Sequence, residues 1–156
     1  MIRHSLLACC VWLSATVASA QHPAGIAFQN YGPTCSFFLQ DATIAGSYDA
    51  STGDLTIEVD PAATCCNTYL SGEYLLIGVA PLTGLPALPP PFAPGCEILV
   101  WPFATLFSQG DQPWTFRMPP FPPGMKLYMQ GVARYFTTIG FTDDLQTTDG
   151  LELTIL

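Results

Sequence analysis

Four cysteines are the residues whose type and spacing point most directly to a chemistry. They are Cys35, Cys65, Cys66 and Cys96. Cys65 follows Cys35 by 30 residues, and Cys96 follows Cys66 by 30. An even number of cysteines in a chain that meets oxidising conditions predicts disulfide bonds. The predicted chemistry of these thiols is therefore oxidation to structural bridges.

The adjacent pair limits how these cysteines can be joined. A bridge between neighbours requires a distorted peptide, so each of the two is expected to bond to a different flank. Two arrangements stay open, Cys35–Cys65 with Cys66–Cys96 and Cys35–Cys66 with Cys65–Cys96. Each bridge would close a loop of about 30 residues and contribute about 3–4 kcal/mol to stability. Zinc ligands are usually two to four residues apart, and redox pairs follow C-x-x-C. The cysteines therefore predict neither a metal site nor a redox site, and no cofactor is predicted.

Catalytic arrangements have little support in this sequence. His22 is the only histidine beyond position 4, and it precedes all the predicted strands. A Ser-His-Asp or Cys-His site needs a histidine base held within the fold. Two carboxylates could cleave glycosides, but nothing in the sequence places two of them together. We predict a protein that is not an enzyme, with a hydrolase as the weakest alternative.

Two further groups of residues could bind ligands. The segment FTDDLQTTDG (141–150) carries Asp143, Asp144 and Asp149, and it predicts either a solvated turn or a weak calcium-binding loop. Trp101, Trp114 and Tyr128 could stack against sugar rings if they are exposed. The alternative for these aromatic residues is that they fill the core.

The N-terminus predicts export. Residues 1–20 contain an apolar stretch and end in Ala18-Ser19-Ala20, which is typical of a signal peptide cleaved after Ala20. The remaining residues, 21–156, are expected to form a single domain that is secreted or periplasmic. We predict no membrane insertion after cleavage, because no later segment has the ~18 apolar residues that a membrane helix needs.

The charge of the exported part excludes some partners. All 12 acidic residues lie beyond residue 20, whereas only Arg117, Lys126 and Arg134 remain as cations, so the net charge is −9. Nucleic acids and anionic membranes require clustered lysine and arginine. We therefore predict no nucleic-acid partner, and polysaccharide or envelope protein remains as the partner class.

Alternating apolar residues predict an all-β fold. Strands are expected at 41–49, 53–60, 73–80, 96–101, 114–118, 126–136 and 151–156, with a further short strand near 25–29. Most of the 15 prolines lie between positions 81 and 123, where they are expected in connections between strands. The predicted fold is an antiparallel β-sandwich of seven or eight strands, stapled by disulfides.

Several motifs resemble those of a group of short secreted bacterial proteins. They are FQNYGPTC, APGCEILV, PPFPPGMKLYMQGVA and the terminal GLELTIL. The group has a Tyr-Gly-x-x-Cys opening, a Gly-Cys before a strand, a Pro-x-Gly-x-x-Leu-x-x-Gln segment and a final Gly-Leu strand. The resemblance implies a secreted β-rich domain with no assigned activity, and a bond between Cys35 and Cys96. The adjacent Cys65 and Cys66 depart from that pattern.

These observations lead to one functional expectation with one alternative. The expected role is structural, or an interaction in the envelope or the extracellular space. The alternative is a carbohydrate-binding module that uses Trp101, Trp114 and Tyr128 as an exposed aromatic face.

Overall fold

The fold is all-β, and its strands form two antiparallel sheets packed as a sandwich. The computed structural model describes residues 22–37, 40–61, 67–83, 88–109, 112–138 and 142–156, and these contain no helix. The strands are β1 (Ile26–Tyr31), β2 (Ser36–Phe37), β3 (Gln40–Asp41), β4 (Thr43–Asp49), β5 (Asp54–Asp60), β6 (Thr68–Pro81), β7 (Val100–Ser108), β8 (Trp114–Arg117), β9 (Lys126–Thr137) and β10 (Thr142–Ile155).

The larger sheet contains five strands in the order β1-β10-β9-β6-β7. Its centre is formed by three long strands, because β9 pairs with β10 from Thr137 to Lys126 and with β6 over nearly the same length. The smaller sheet has the order β4-β5-β8, and β2 and β3 form a separate two-residue pair. Eight strands thus make up the two sheets, in agreement with the predicted sandwich.

The core lies between the two sheets and follows directly from the alternation of apolar residues. On β5, Leu55, Ile57 and Val59 are buried, as their period of two predicts. They pack against side chains of the larger sheet, namely Leu75, Leu127, Met129, Leu151, Leu153 and Ile155. The strand predictions for 41–49, 53–60, 73–80, 114–118 and 126–136 are confirmed, as is the short strand near 25–29.

Two strand predictions are wrong in their bounds. Residues 96–99 are not in a strand, and β7 begins at Val100 and runs to Ser108 through Pro102. An edge strand accepts proline because one side of its ladder needs no N–H donor.

Residues 142–150, which were predicted as a turn or calcium loop, are the first part of β10. This segment pairs with β9 from Thr142 to Thr147, and the Arg134 guanidinium on β9 also pairs with Asp143 at 2.8 Å.

The disulfide arrangement derived from the spacing is also wrong. Cys35 is bonded to Cys96, so neither cysteine can pair with Cys65 or Cys66. The pairing that the resemblance implied is the one found. Cys65 and Cys66 lie outside the described residues, as does the predicted signal peptide, 1–20. The bridge spans 61 residues of sequence, and a loop of that length corresponds to about 4 kcal/mol of chain entropy.

Gly131 provides a test of how closely the two sheets pack. A methyl group at this position on β9 would lie 2.6 Å and 2.9 Å from the methyl carbons of Val59 on β5. Valine has a stiff side chain, so it cannot yield easily. We expect Gly131→Ala to lower the free energy of unfolding by about 1–3 kcal/mol in urea denaturation. Combining it with Val59→Ala should cost less than the sum of the single changes, and strictly additive costs would contradict this packing.

Candidate functional site

The three aromatic residues proposed from the sequence do not form one surface. Trp101 lies on β7, Trp114 on β8 of the other sheet, and Tyr128 on β9. Trp114 is partly buried and packs against the main core. The Tyr128 ring is also partly buried and meets the ring of Tyr31 edge to face, with centroids 5.8 Å apart. Trp101 is 67% exposed and is the only one of the three that faces solvent fully.

Tyr31 and Tyr128 belong to a polar group on the larger sheet. The Lys126 ammonium donates a hydrogen bond of 2.6 Å to Glu152, and this bond lowers the pKa of the carboxyl group. Burial raises the pKa of both tyrosines, and the nearby Glu152 carboxylate raises it further. Both phenols therefore remain protonated donors at neutral pH. The Tyr31 hydroxyl donates to the carbonyl of Leu99 at 3.0 Å, so this group positions the chain that leads into β7.

Two of the three acidic residues of the proposed calcium loop have separate partners, and Asp144 is partly buried on the same strand. Asp143 accepts hydrogen bonds from Arg134. Asp149 accepts from the Asn30 side chain at 2.8 Å and from the Ile44 N–H at 3.3 Å. Asp143 and Asp149 are six residues apart on one strand, which corresponds to about 20 Å. Among the described residues, no group of three His, Cys, Asp or Glu side chains could hold a metal ion.

The outer side of β10 is paired partly with β1 and partly with other parts of the chain. β1 pairs with β10 only from Gly150 to Ile155, which leaves the first half of β10 without a neighbour on that side. There the Ala93 N–H donates to the Leu145 carbonyl at 2.9 Å, and the Leu145 N–H donates to the Pro91 carbonyl at 2.9 Å. The Cys35 N–H donates to the Thr147 carbonyl at 3.2 Å. The Cys35–Cys96 bond joins the two covering segments.

Two fully buried glutamines hold these segments in place. Gln130 on β9 accepts from the Leu99 N–H at 2.8 Å and donates to the carbonyls of Glu97 and Thr148, both at 2.9 Å. Gln146 on β10 accepts from the hydroxyl of Tyr135 and donates to the carbonyl of Cys35 at 2.7 Å. Buried amides need such partners, since an unsatisfied group is costly. We call residues 91–99, Cys35, the disulfide and the two glutamines the clamp.

The opposite edge of the larger sheet is different. In the part of the chain that the structure describes, β7 pairs with β6 and with no other strand. Trp101, Phe103 and Phe107 on this strand are 67%, 64% and 48% exposed. A register shift falls between Pro102 and Ala104, so simple alternation does not place all three rings on one face of the sheet. No charged residue occurs from position 98 to position 110. We call these three side chains, together with the backbone of β7, the aromatic edge.

Two glycines of β6 allow β7 to pack in this way. The Phe107 ring lies over Gly72 and packs against Tyr74 with ring centroids 5.0 Å apart, where a side chain at position 72 would collide with the ring. A methyl group at Gly78 would collide with the Trp101 carbonyl. The register of the two strands shifts on either side of Gly78. The glycines thus bring the edge strand close to the sheet and leave its aromatic rings outside.

Sequence reasoning identified Trp101 but missed Phe103 and Phe107. The signal was present, since aromatic residues occupy three of the four odd positions from 101 to 107. Pro102 conceals it, because a proline is more typical of a connection between strands than of a strand.

Comparison with known proteins adds no functional assignment. No protein-family model, curated protein or solved structure matches the chain. No helix in the described ranges is long and apolar enough to cross a membrane. The disulfide fits an extracytoplasmic protein, because such bonds persist in oxidising compartments.

Gln130 tests whether the clamp depends on buried hydrogen bonds. Gln130→Met keeps the approximate volume of the side chain but leaves three backbone groups without their partner. We expect a loss of about 2–4 kcal/mol in the free energy of unfolding. Gln29→Met on β1 is the matched control, because Gln29 is exposed, and it should change stability by less than about 0.5 kcal/mol. Equal effects of the two substitutions in urea denaturation would contradict the role given to Gln130.

Proposed function

We propose that this chain is a non-catalytic domain, secreted or periplasmic, that acts by binding through its aromatic edge. Export is supported by the signal-like residues 1–20 and by the Cys35–Cys96 bond. The resemblance to short secreted bacterial proteins points in the same direction. The role is an interaction with a component of the envelope or the extracellular space.

One observation carries the proposal, namely the exposure of Trp101, Phe103 and Phe107 on a nine-residue edge strand. Soluble proteins usually protect long edge strands with charges, short length or a covering segment. On the other side of the sheet the clamp pairs part of β10, whereas β7 carries exposed hydrophobic rings. An exposed apolar patch of this kind is typical of an interaction surface.

Three acidic residues of the larger sheet have structural partners, and the proposal gives none of them a catalytic role. Asp143 pairs with Arg134, Asp149 bonds to Asn30, and Glu152 pairs with Lys126. Each of these carboxylates has a structural partner, whereas a glycosidase would need two of them facing one cleft.

Carbohydrate binding is the second candidate, and the exposure of Trp101 favours it. An indole face that is open to solvent can stack against the apolar face of a sugar ring. Of the residues first considered for this role, Trp114 and Tyr128 are packed against neighbouring side chains, so a sugar site would be built on Trp101 together with Phe103.

Retention on solid ligands tests the proposed function. The protein, purified after export with its disulfide intact, is mixed with insoluble polysaccharides and with envelope fractions. We expect retention on at least one of them, and we expect Trp101→Ala to weaken it about tenfold, since stacking on one ring contributes about 1–2 kcal/mol.

Tyr69→Ala is the control for this experiment, because Tyr69 is also an exposed aromatic residue (58%) but lies on β6, outside the aromatic edge. It should leave retention unchanged. Retention that is equal for the wild type and Trp101→Ala would refute binding through the aromatic edge. Retention on envelope protein but on no polysaccharide would eliminate the carbohydrate alternative.

A further inference from the structure

We infer that the aromatic edge binds a second copy of this chain, by antiparallel pairing of β7 with β7 across a two-fold axis. This inference rests on the proposed function and names the partner that the aromatic edge fits best. The product would be a dimer whose larger sheets join into one sheet of ten strands.

The first argument comes from the backbone of β7. The strand is nine residues long, and in the described chain only β6 pairs with it. An edge strand presents N–H and C=O groups that can form a ladder with another strand. From Ala104 to Ser108 the pairing with β6 is uninterrupted, so this part of β7 has the regular backbone that a second strand requires.

The second argument is electrostatic. Two copies of a chain with a net charge of −9 beyond residue 20 repel each other over most of their surfaces. Like charges that lie opposite each other across two strands would oppose pairing. Residues 98–110 contain no charge, so the aromatic edge is a surface on which two copies can meet without that cost. No lysine or other charged side chain of β7 protects it from self-pairing.

The third argument is the pattern of side chains along the strand. A two-fold axis near Leu106 keeps the pairing within residues 104–108, where the register is uninterrupted, and places Phe107 opposite Thr105 of the second copy. Because the pairing is symmetric, each contact occurs twice. Cross-strand pairs of aromatic and β-branched residues are favourable on a sheet. Pro102 lacks an N–H group, and it lies outside this five-residue ladder in both copies.

Sedimentation velocity tests this inference on the exported protein over a wide range of concentrations. We expect a species of twice the monomer mass, and we expect added salt to strengthen it by screening the repulsion between copies. Phe103→Lys places a charge on the aromatic edge and should raise the dimer dissociation constant at least about tenfold. Tyr69→Lys carries the same change in charge on another part of the sheet and should leave dimerisation unchanged.

Amide hydrogen exchange of the wild type gives a second test that needs no variant. Protection of residues 104–108 should rise with protein concentration, whereas protection of β1 should not. A monomer at every concentration, unchanged exchange in β7, or a dimer that persists in Phe103→Lys would overturn the inference. A monomer that is still retained on a ligand through Trp101 would overturn self-pairing only, and the proposed function would stand.

Discussion

The clamp on the first half of β10 is the contact on which the rest of the structure depends. β1 is too short to cover β10 completely, so the backbone groups of Leu145 and Thr147 need other partners. The proline-rich chain before β7 and the residues after β1 supply them, and the disulfide joins these two segments. Prolines suit this task because they stiffen the covering segment, while the few N–H groups that are needed come from Ala93 and Cys35.

The clamp also sets the start of β7. Leu99 is held by the buried amide of Gln130 and by the hydroxyl of Tyr31, and the strand begins one residue later. The same buried hydrogen bonds that close one edge of the larger sheet therefore fix where the opposite edge strand enters. The proposal of a binding role rests on the exposure of Trp101, Phe103 and Phe107 on β7.

The sequence predicted the layers of the fold well, because burial between two sheets requires a strict period of two. Leu55, Ile57 and Val59 show that period, and the structure buries all three. The errors arose where long-range contacts override the local pattern. Residues 142–150 look like an acidic turn, yet their backbone pairs with β9, and Arg134 on that strand also pairs with Asp143. The spacing of the cysteines favoured two short loops, although the bond that forms, from Cys35 to Cys96, connects two segments that both hydrogen-bond to β10.

The candidate site was only partly predictable. Trp101 was identified as an aromatic residue that could bind, but its exposure depends on the glycines of β6 and on the position of β7 at the edge, neither of which a local pattern contains. Trp114 illustrates the converse, because the strand that carries it turns this large ring toward the core. Phe103 and Phe107 lie on the part of β7 that follows Pro102, which the sequence pattern does not predict to be a strand.

The central claim is that the disulfide and the buried glutamines keep the covering segments hydrogen-bonded to the first half of β10, which β1 does not reach. Hydrogen exchange of individual amides, measured with the Cys35–Cys96 bond intact and after its reduction, tests this claim most directly. The account predicts that the amides of Cys35, Ala93 and Leu99 lose protection on reduction before those at the centre of β9 do. If these amides stay as protected as the centre of β9, the clamp does not hold the edge and the account is contradicted.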